Sequence, residues 1–154
     1  MRRLNVKKAK TTPTDRSAIM RAVRSRDTKP ELIVRKLAWR IRPGYRLHRK
    51  DIPGNPDIAY VGRKQAIFVH GCFWHGHDCP LFKWPGTRPD FWRDKIGQNR
   101  ANDHKAREAL LASEWRVAIV WECAIRGASK NTKAVAHSLA DWLQGCAPFI
   151  EERG

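Results

Sequence analysis

Hydrophobic and polar positions alternate along this chain with two different periods, which predict helices in some segments and strands in others. Apolar residues recur at helical spacing in four segments: 15–26, from near Thr28 to Pro43-Gly44, 88–113 and 131–143. Thr28 and Glu31 have the spacing of a capping box, with Pro30 in the first turn, where its missing N–H costs nothing. We therefore predict that the second helix begins at Thr28 and ends before Pro43-Gly44.

Strand patterns lie between these helices, at 45–49, 57–61, 65–70 and 116–122. The turn Gly62-Arg63-Lys64 joins 57–61 and 65–70 as a hairpin. Segment 116–122 is apolar on both of its faces, with Val117, Ile119 and Trp121 on one side and Ala118 and Val120 on the other. Such a strand is typical of the interior of a sheet.

The elements together predict an α/β single domain, a small mixed sheet flanked by helices. At 154 residues, 42% of them hydrophobic and 30% charged, the chain is large enough for one folded core. We expect a basic, flexible arm over 1–13, the domain over 14–145 and a tail over 146–154. The apolar runs are too short for a membrane span. We therefore expect a soluble, cytoplasmic monomer with no membrane partner.

Positive charge is concentrated in the first third of the chain. The whole chain has 31 Lys+Arg against 15 Asp+Glu, a net charge of +16, but residues 1–50 alone hold 17 against 3. The remaining residues hold 14 against 12 and are nearly balanced. This asymmetry predicts binding to a polyanion, most simply a nucleic acid. The alternative is a basic arm that only increases solubility.

The segment from Cys72 to Cys79 reads Cys-Phe-Trp-His-Gly-His-Asp-Cys and combines thiols, imidazoles and aromatic rings. Zinc is bound tetrahedrally by cysteine and histidine, so Cys72, Cys79 and Cys123 are candidate ligands, with His75 or His77 as the fourth. In an extended segment the two histidines would point in opposite directions, one to a metal and one to a cleft. Alternatively, the thiols are unrelated buried side chains. Cys146 has no assigned role.

A second candidate site surrounds Asp57 at the start of the hairpin. A carboxylate can hold Mg²⁺ for phosphodiester cleavage, and Val69-His70 lies beside Asp57 in the predicted hairpin. Asp57 can also be an ordinary strand-start residue, and Glu31 an ordinary capping carboxylate. Asp103 shares a face of the long helix with Trp92, Ile96 and Asn99.

Aromatic residues are abundant, with seven tryptophans. We predict that Trp39, Trp115, Trp121 and Trp142 are core residues because they lie in apolar patterns. Phe73 and Trp74 lie in a polar turn, where insertion between DNA base steps and burial in the core are both open. The pattern around Trp92 favours the core.

Several motifs give the chain a family resemblance over residues 14–127. They are Met20-Arg21-Ala22-Val23, Arg26-Asp27-Thr28, Pro56-Asp57, the run from Phe68 to His75, the run from Thr87 to Trp92, Lys95-Ile96-Gly97-Gln98-Asn99, and Trp115-Arg116-Val117 through Trp121-Glu122-Cys123. The chain resembles the very short patch repair (Vsr) DNA mismatch endonucleases. Asn55 departs from the family pattern, which has arginine before Pro56-Asp57, and Gly76 and Asp78 replace histidines.

The resemblance implies a restriction-endonuclease-like fold of the PD-(D/E)xK type with a structural zinc site. The second strand lacks the acidic-x-Lys motif of that wider fold, and the Vsr branch lacks this motif too. The implied activity is Mg²⁺-dependent nicking of one strand, 5′ to the T of a T·G mismatch that arises when 5-methylcytosine deaminates. The implied partner is double-stranded DNA with that mismatch, in a bacterial cytoplasm at the nucleoid, and mismatch-repair proteins are further candidate partners.

The resemblance also implies residue roles. Asp57 and the backbone carbonyl of Val69 would bind Mg²⁺, and His75 would be the general base. The remaining catalytic positions are His70, Glu31 and Asp103. One structural Zn²⁺ per chain would be bound by Cys72, His77, Cys79 and Cys123. The DNA-binding positions are Met20, Arg21, Phe73, Trp74, Trp92 and Asn99.

Three other functions use the same features. The first is a nicking or restriction-associated endonuclease with a fixed sequence site and no mismatch requirement. The second is a zinc-stabilised DNA-binding module without enzymatic activity, although binding alone needs neither Asp57 nor His75. The third is an RNA-binding protein that uses the basic arm and stacking aromatics.

Overall fold

The computed structural model describes residues 26–128 and 130–154. The predicted helix over 15–26, with Met20 and Arg21, and the arm over 1–13 therefore lie outside the described residues, except Arg26. The α-helices are α1 Lys29–Ile41, α2 Pro89–Ala112, α3 Glu122–Ile125 and α4 Thr132–Gln144. The strands are β1 Arg46–Leu47, β2 Ile58–Tyr60, β3 Gln65–His70, β4 Arg116–Trp121 and β5 Phe149–Glu152, and a short 3₁₀ helix spans Val61–Arg63.

The five strands form one mixed sheet in the order β1-β2-β3-β4-β5. The β1, β2 and β3 neighbours are antiparallel, with Ile58 opposite Ile67 in the hairpin. Strands β3, β4 and β5 are parallel, with His70 level with Trp121. The predicted small mixed sheet, its hairpin and its interior strand are confirmed.

Helices cover both faces of the sheet, because each central strand is apolar on both sides. One core contains Val34 and Ala38 of α1 and Leu139 and Trp142 of α4, packed on Ala118 and Val120 of β4. The other core contains Leu110 of α2 against the alternate residues of β4, which are Val117, Ile119 and Trp121. The assignment of β4 residues to two faces from the sequence is therefore confirmed. None of the helices in the described ranges is long and apolar enough to cross a membrane.

The structure differs from the sequence predictions at the end of the chain. The segment 146–154, predicted as a tail, contains β5, which pairs with β4 through Val117 and Phe149. The short run Phe149–Glu152 has no strong alternation and ends in two acidic residues, so its strand character comes from pairing with β4. Cys123 follows β4 on the first turn of α3 rather than ending the strand.

Two local predictions about helices were also tested. Thr28 caps α1 as predicted, since its side chain accepts a hydrogen bond from the Glu31 N–H. At the start of α2, Arg88 occupies the cap position with a left-handed backbone and makes no side-chain cap hydrogen bond. The prediction that Trp39 is a core residue is wrong. This residue is 57% exposed, whereas Val34 and Ala38 on the same helix are fully buried.

Candidate functional site

The topology gathers the predicted site residues at one edge of the sheet. Strands β3 and β4 are parallel, so His70 at the end of β3 and Cys123 just after β4 lie at the same edge. Strand β2 is antiparallel to β3, which brings Asp57, immediately before β2, to that edge as well. The turn that follows β3 carries His75 and His77 across the ends of the strands.

Asp57 is held against β3 by a backbone hydrogen bond. Its carboxylate accepts the Val69 N–H at 2.6 Å. Burial raises the pKa of the Asp57 carboxyl to about 7, and the charge of Glu31 adds to this rise, while the Val69 N–H and Arg35 oppose it. An ionised carboxylate in this position is costly unless a cation compensates its charge. In a strand, a residue presents its N–H and its carbonyl to the same neighbour, so the Val69 carbonyl faces the Asp57 side.

His75, His70 and Asp103 form a compact group beside Asp57. The Nδ1 of His75 is hydrogen-bonded to an Asp103 carboxylate oxygen, and this bond fixes the ring so that Nε2 is free for chemistry. The His70 ring stacks on the His75 ring with centroids 4.0 Å apart and planes 4° apart. The pKa of His70 is lowered to about 3, mainly by burial and also by the neighbouring His75, although Asp103 and Glu151 oppose this shift. His70 is therefore a neutral ring that supports His75.

The segment between the two histidines is a turn and not the extended strand that the sequence argument assumed. His75 N–H bonds to the Gly71 carbonyl at 3.2 Å, and His77 N–H bonds to the Cys72 carbonyl at 2.9 Å. Between them, Gly76 has a φ of +60°, and a Cβ there would lie 2.6 Å from Ile96 Cγ2 of α2. The predicted separation of the histidines is correct, but a glycine turn packed on α2 produces it.

His77 belongs to a cluster with three cysteines. Candidate ligand atoms of Cys72, His77, Cys79 and Cys123 all lie within 4.8 Å of one another. His77 Nδ1 is 3.6 Å from Cys72 Sγ and 3.5 Å from Cys123 Sγ. A tetrahedral zinc ion with ordinary Zn–S and Zn–N bonds would place sulfur and nitrogen roughly 3.5 Å apart. The donor set therefore fits zinc in both chemistry and spacing, and His77 is the histidine that joins it.

The surroundings of this cluster also suit a cation. Burial raises the pKa of the Cys72 thiol well above its usual range, and the neighbouring Cys79 and Cys123 thiols raise it further, so a thiolate here needs a compensating positive charge. The His77 ring stacks on Trp121 with centroids 4.2 Å apart. The Gly154 N–H reaches Cys123 Sγ at 3.3 Å, so the segment after β5 contacts the cluster.

Glu31 is buried, and its charge raises the pKa of Asp57. Its Oε2 accepts hydrogen bonds from the Asp27 N–H at 3.0 Å and from Arg35 at 3.1 Å. Arg35 also contacts Asp27 and His48. Sequence reasoning identified Glu31 but missed its three partners. The i,i+4 spacing of Asp27, Glu31 and Arg35 is visible in the sequence, whereas His48 comes from a separate loop.

The predicted DNA-contacting aromatics form a cluster next to the histidines. Phe73 contacts both Trp74 and Trp92 edge-on, with ring centroids 5.3 Å apart in each pair. Trp92 is only 6% exposed and supports the other two rings from below. Asn99 donates to the Trp74 carbonyl at 2.8 Å and so fixes the turn. The sequence analysis did not single out the more exposed rings Trp84 and Phe91.

Comparison with known proteins gives the same picture as the fold and the site. The family model described as "DNA mismatch endonuclease Vsr" matches residues 8–81. The chain is 41% identical over 142 residues to the "DNA mismatch endonuclease Vsr" of Escherichia coli (strain K12), which covers 90% of this chain and 91% of that protein. It is 50% identical over 112 residues to the "Type II nicking enzyme V.XorIIP" of Xanthomonas oryzae pv. oryzae, covering 73% and 82% of the two chains.

An α/β sheet with a carboxylate and a His–Asp pair at one edge, in a chain similar to these nicking enzymes, defines the class as a DNA endonuclease. Hydrolysis of a phosphodiester bond and binding to DNA follow from that class. The chain belongs to the Vsr family of DNA mismatch endonucleases.

Proposed function

We propose that this protein nicks one strand of double-stranded DNA, 5′ to the T of a T·G mismatch, in a Mg²⁺-dependent reaction on a restriction-endonuclease-like fold. The observation that carries the proposal is the placement of Asp57, the His75–Asp103 pair and the Phe73–Trp74 cluster at one edge of the sheet. A group that binds metal, a group that accepts a proton and a group that opens the duplex are thereby adjacent.

Asp57 and the Val69 carbonyl are the proposed Mg²⁺ ligands. Both are oxygen donors, as a hard cation prefers, and both face the same side of β3. The raised pKa of Asp57 supports a cation here, because positive charge would restore its ionised form. A bound Mg²⁺ supplies polarisation of the phosphate and favours ionisation of water.

His75 is the proposed general base. Its Nδ1 is held by Asp103, so Nε2 can accept the proton of the attacking water as the phosphodiester bond breaks. His70 stacks on this ring and remains neutral, which keeps a second positive charge away from the protonated His75. Glu31 lies close enough to Asp57 to raise its pKa and is a second acidic group for the ion or its water shell.

The cysteine cluster is proposed to bind one structural Zn²⁺ through Cys72, His77, Cys79 and Cys123. All four protein donors converge, which leaves no open position for a substrate and indicates a structural role. The ion would fix both ends of the turn that carries Phe73, Trp74 and His75. Its function would therefore be to keep the two aromatic rings and His75 at fixed positions relative to Asp57.

Phe73 and Trp74 are proposed to insert beside the mismatch, with Trp92 as their support. Partly exposed rings on a braced turn can unstack a base step at the cost of a few kcal/mol, and a mismatched step resists least. Met20 and Arg21, outside the described residues, are proposed to contact the DNA with the basic N-terminal region. Asn99 is proposed to act through its hydrogen bond to the turn.

A nicking assay on two duplexes of one sequence, one with T·G and one with T·A, tests this function directly. We expect cleavage of the T-containing strand of the T·G duplex only, and only with Mg²⁺. Equal cleavage of both duplexes would reject the mismatch requirement, and cleavage in the presence of a chelator would reject the metal.

A second candidate function is nicking at a fixed sequence without a mismatch. It is favoured by the 50% identity to the Xanthomonas oryzae relative, which is named as a type II nicking enzyme. The T·A arm of the same assay separates the two, since a sequence-specific nickase would cleave matched duplexes that contain its site.

A further inference from the structure

A partly buried ionic group surrounds the buried Glu31 at the start of α1, and nothing in the proposed reaction uses its other members. Arg35 Nη1 lies 2.7 Å from an Asp27 oxygen, and Arg35 Nη2 lies 3.1 Å from Glu31 Oε2 and 2.8 Å from His48 Nε2. Arginine has donors only, so His48 Nε2 accepts this bond and its ring proton is on Nδ1. One guanidinium thus ties together two acidic groups and a histidine from a separate loop.

A cation site is the first alternative for this group, because candidate ligand atoms of Asp27, Glu31 and His48 lie within 4.8 Å of one another. The Arg35 guanidinium already lies among these atoms, at 2.7 to 3.1 Å from each residue. A second cation at such distances would be repelled by several kcal/mol in a partly buried setting, on the order of the Coulomb energies expected there. The group is therefore better understood as a clamp built around arginine.

Every contact that the described residues make with the Glu31 carboxylate is on one oxygen. The Asp27 N–H and Arg35 Nη2 both donate to Oε2, and His48 in turn accepts from Arg35. A carboxylate held so firmly on one oxygen presents the other, Oε1, in a fixed direction. Glu31 raises and Arg35 lowers the pKa of Asp57, so both charges act on the carboxylate that would bind the metal.

The backbone at two members of the clamp is strained. Asp27 has a φ of +55° and His48 a φ of +47°, a region that non-glycine residues rarely adopt, although Asp and His tolerate it better than most. Such a conformation costs free energy and persists where the surrounding structure over-determines it. Arg35 Nε is also buried with no hydrogen-bond partner within residues 26–128 and 130–154. These costs indicate a position kept for function.

We propose that Arg35 and His48 are positioning residues that hold Glu31 Oε2 and thereby direct Oε1 to the hard cation at Asp57. The inference rests on the proposed metal site and extends it by two residues. Arg35 provides the two-pronged contact from within α1, and His48 locks Arg35 from the loop that leads toward Asp57. Neither residue touches the substrate or the ion in this arrangement.

Mn²⁺ binding to the purified full chain, measured by electron paramagnetic resonance, tests the proposal without relying on activity. Arg35→Lys keeps the charge but loses the planar fork, so we expect about a tenfold weaker Mn²⁺ affinity, as for other residues that orient metal ligands. His48→Asn tolerates the positive φ and should weaken binding about threefold or more. Arg40→Lys, on the exposed side of α1, is the matched control and should bind as the unsubstituted protein does.

A double-mutant cycle with Glu31→Gln distinguishes positioning from a general structural effect. If Arg35 acts through Glu31, Arg35→Lys should weaken Mn²⁺ binding in the original chain but add nothing in the Glu31→Gln chain. Equal effects in both backgrounds, or no effect in either, would overturn the inference. If Arg35→Lys does not fold, the cycle with His48→Asn decides the question in the same way.

Nicking assays separate this inference from the function on which it rests. In the variants, the Mg²⁺ concentration for half-maximal nicking should rise in parallel with the Mn²⁺ dissociation constant. A protein that binds Mn²⁺ with the expected coupling but fails to nick T·G duplexes would contradict the proposed function and leave the clamp supported. Normal nicking with unaltered Mg²⁺ dependence in Arg35→Lys and His48→Asn would overturn the clamp alone.

Discussion

The two histidines of the 72–79 turn belong to two regions with opposite designs. Around His77 every donor faces inward to the same point, and the ligands are thiols and an imidazole, which suit zinc. Around His75 one ring nitrogen is hydrogen-bonded to Asp103, and His75 also lowers the pKa of the neighbouring Asp57 carboxyl. The comparison shows how one turn can carry the proposed structural site and the proposed reactive site two residues apart, because Gly76 has a left-handed backbone between them.

The largest predicted effect is on the closed region, which is the cysteine cluster around His77. Cys123→Ser should lose the metal and the cooperative fold, since structural zinc sites contribute on the order of 10 kcal/mol in small domains. Metal analysis and thermal unfolding followed by circular dichroism measure both consequences. Cys146→Ser is the matched control, because Cys146 is an exposed free thiol outside the cluster. A folded, metal-free Cys123→Ser protein would show that the two regions do not depend on each other.

In the open region, which is the group around His75 and Asp57, the variant Asp57→Ala should nick about a thousandfold more slowly or worse. Its binding to the T·G duplex should remain. A missing metal ligand removes several kcal/mol of transition-state stabilisation but leaves the aromatic and basic DNA contacts in place. Single-turnover nicking and a gel-shift titration give the two numbers. Substantial residual cleavage would remove Asp57 from the metal site.

The variant Asp103→Asn tests whether the hydrogen bond between His75 Nδ1 and Asp103 is what makes Nε2 of His75 reactive. We expect about a hundredfold slower nicking, since the amide can present its NH₂ to Nδ1 and favour the wrong ring tautomer. Zinc content should remain unchanged, because Asp103 touches only the open region. A loss of zinc in this variant would contradict the separation of the two histidines.

A smaller effect is expected on the stability of the protein without Mg²⁺. The Asp57 pKa is about 7 in the folded state against an ordinary 3.8, so the native state binds the proton more tightly than the unfolded chain does. Stability should therefore be highest below about pH 4 as far as this group is concerned, fall as the pH rises to about 7, and stay level above it. The loss is on the order of 4 kcal/mol.

Denaturant unfolding of Asp57→Asn against the original chain at pH 5 and pH 8 measures this loss. The variant should be more stable at pH 8, with a smaller difference at pH 5, and added Mg²⁺ should stabilise only the original chain. Equal pH dependence in both proteins would show that Asp57 is not the strained group of the open region.

The sequence predicted most of what local pattern controls. The faces of β4, the hairpin and the start of α1 at Thr28 follow from periodicity and capping, and the structure confirms them. Vsr membership was visible in the motifs. The roles assigned to single site residues stay predictions, although the structure brings most of the described ones to one edge of the sheet.

Long-range packing explains what was missed. Strand β5 depends on pairing with β4, and its own four residues have no alternation that would predict a strand. His48 meets Arg35 only because the chain after β1 folds back on α1. Trp39 lies in an apolar pattern, but the described neighbours on its side of the helix leave it exposed.

The distance along the chain between the proposed zinc donors has a consequence for synthesis. Cys72, His77 and Cys79 leave the ribosome together, but Cys123 is 44 residues beyond Cys79. At ordinary bacterial elongation rates, this gap lasts about 2–9 seconds. During that interval the three donors have neither their fourth ligand nor β4, which pairs with β3 beside them. A nascent chain therefore passes through a period of exposed thiols, in which oxidants or the wrong metal can compete before the turn is locked.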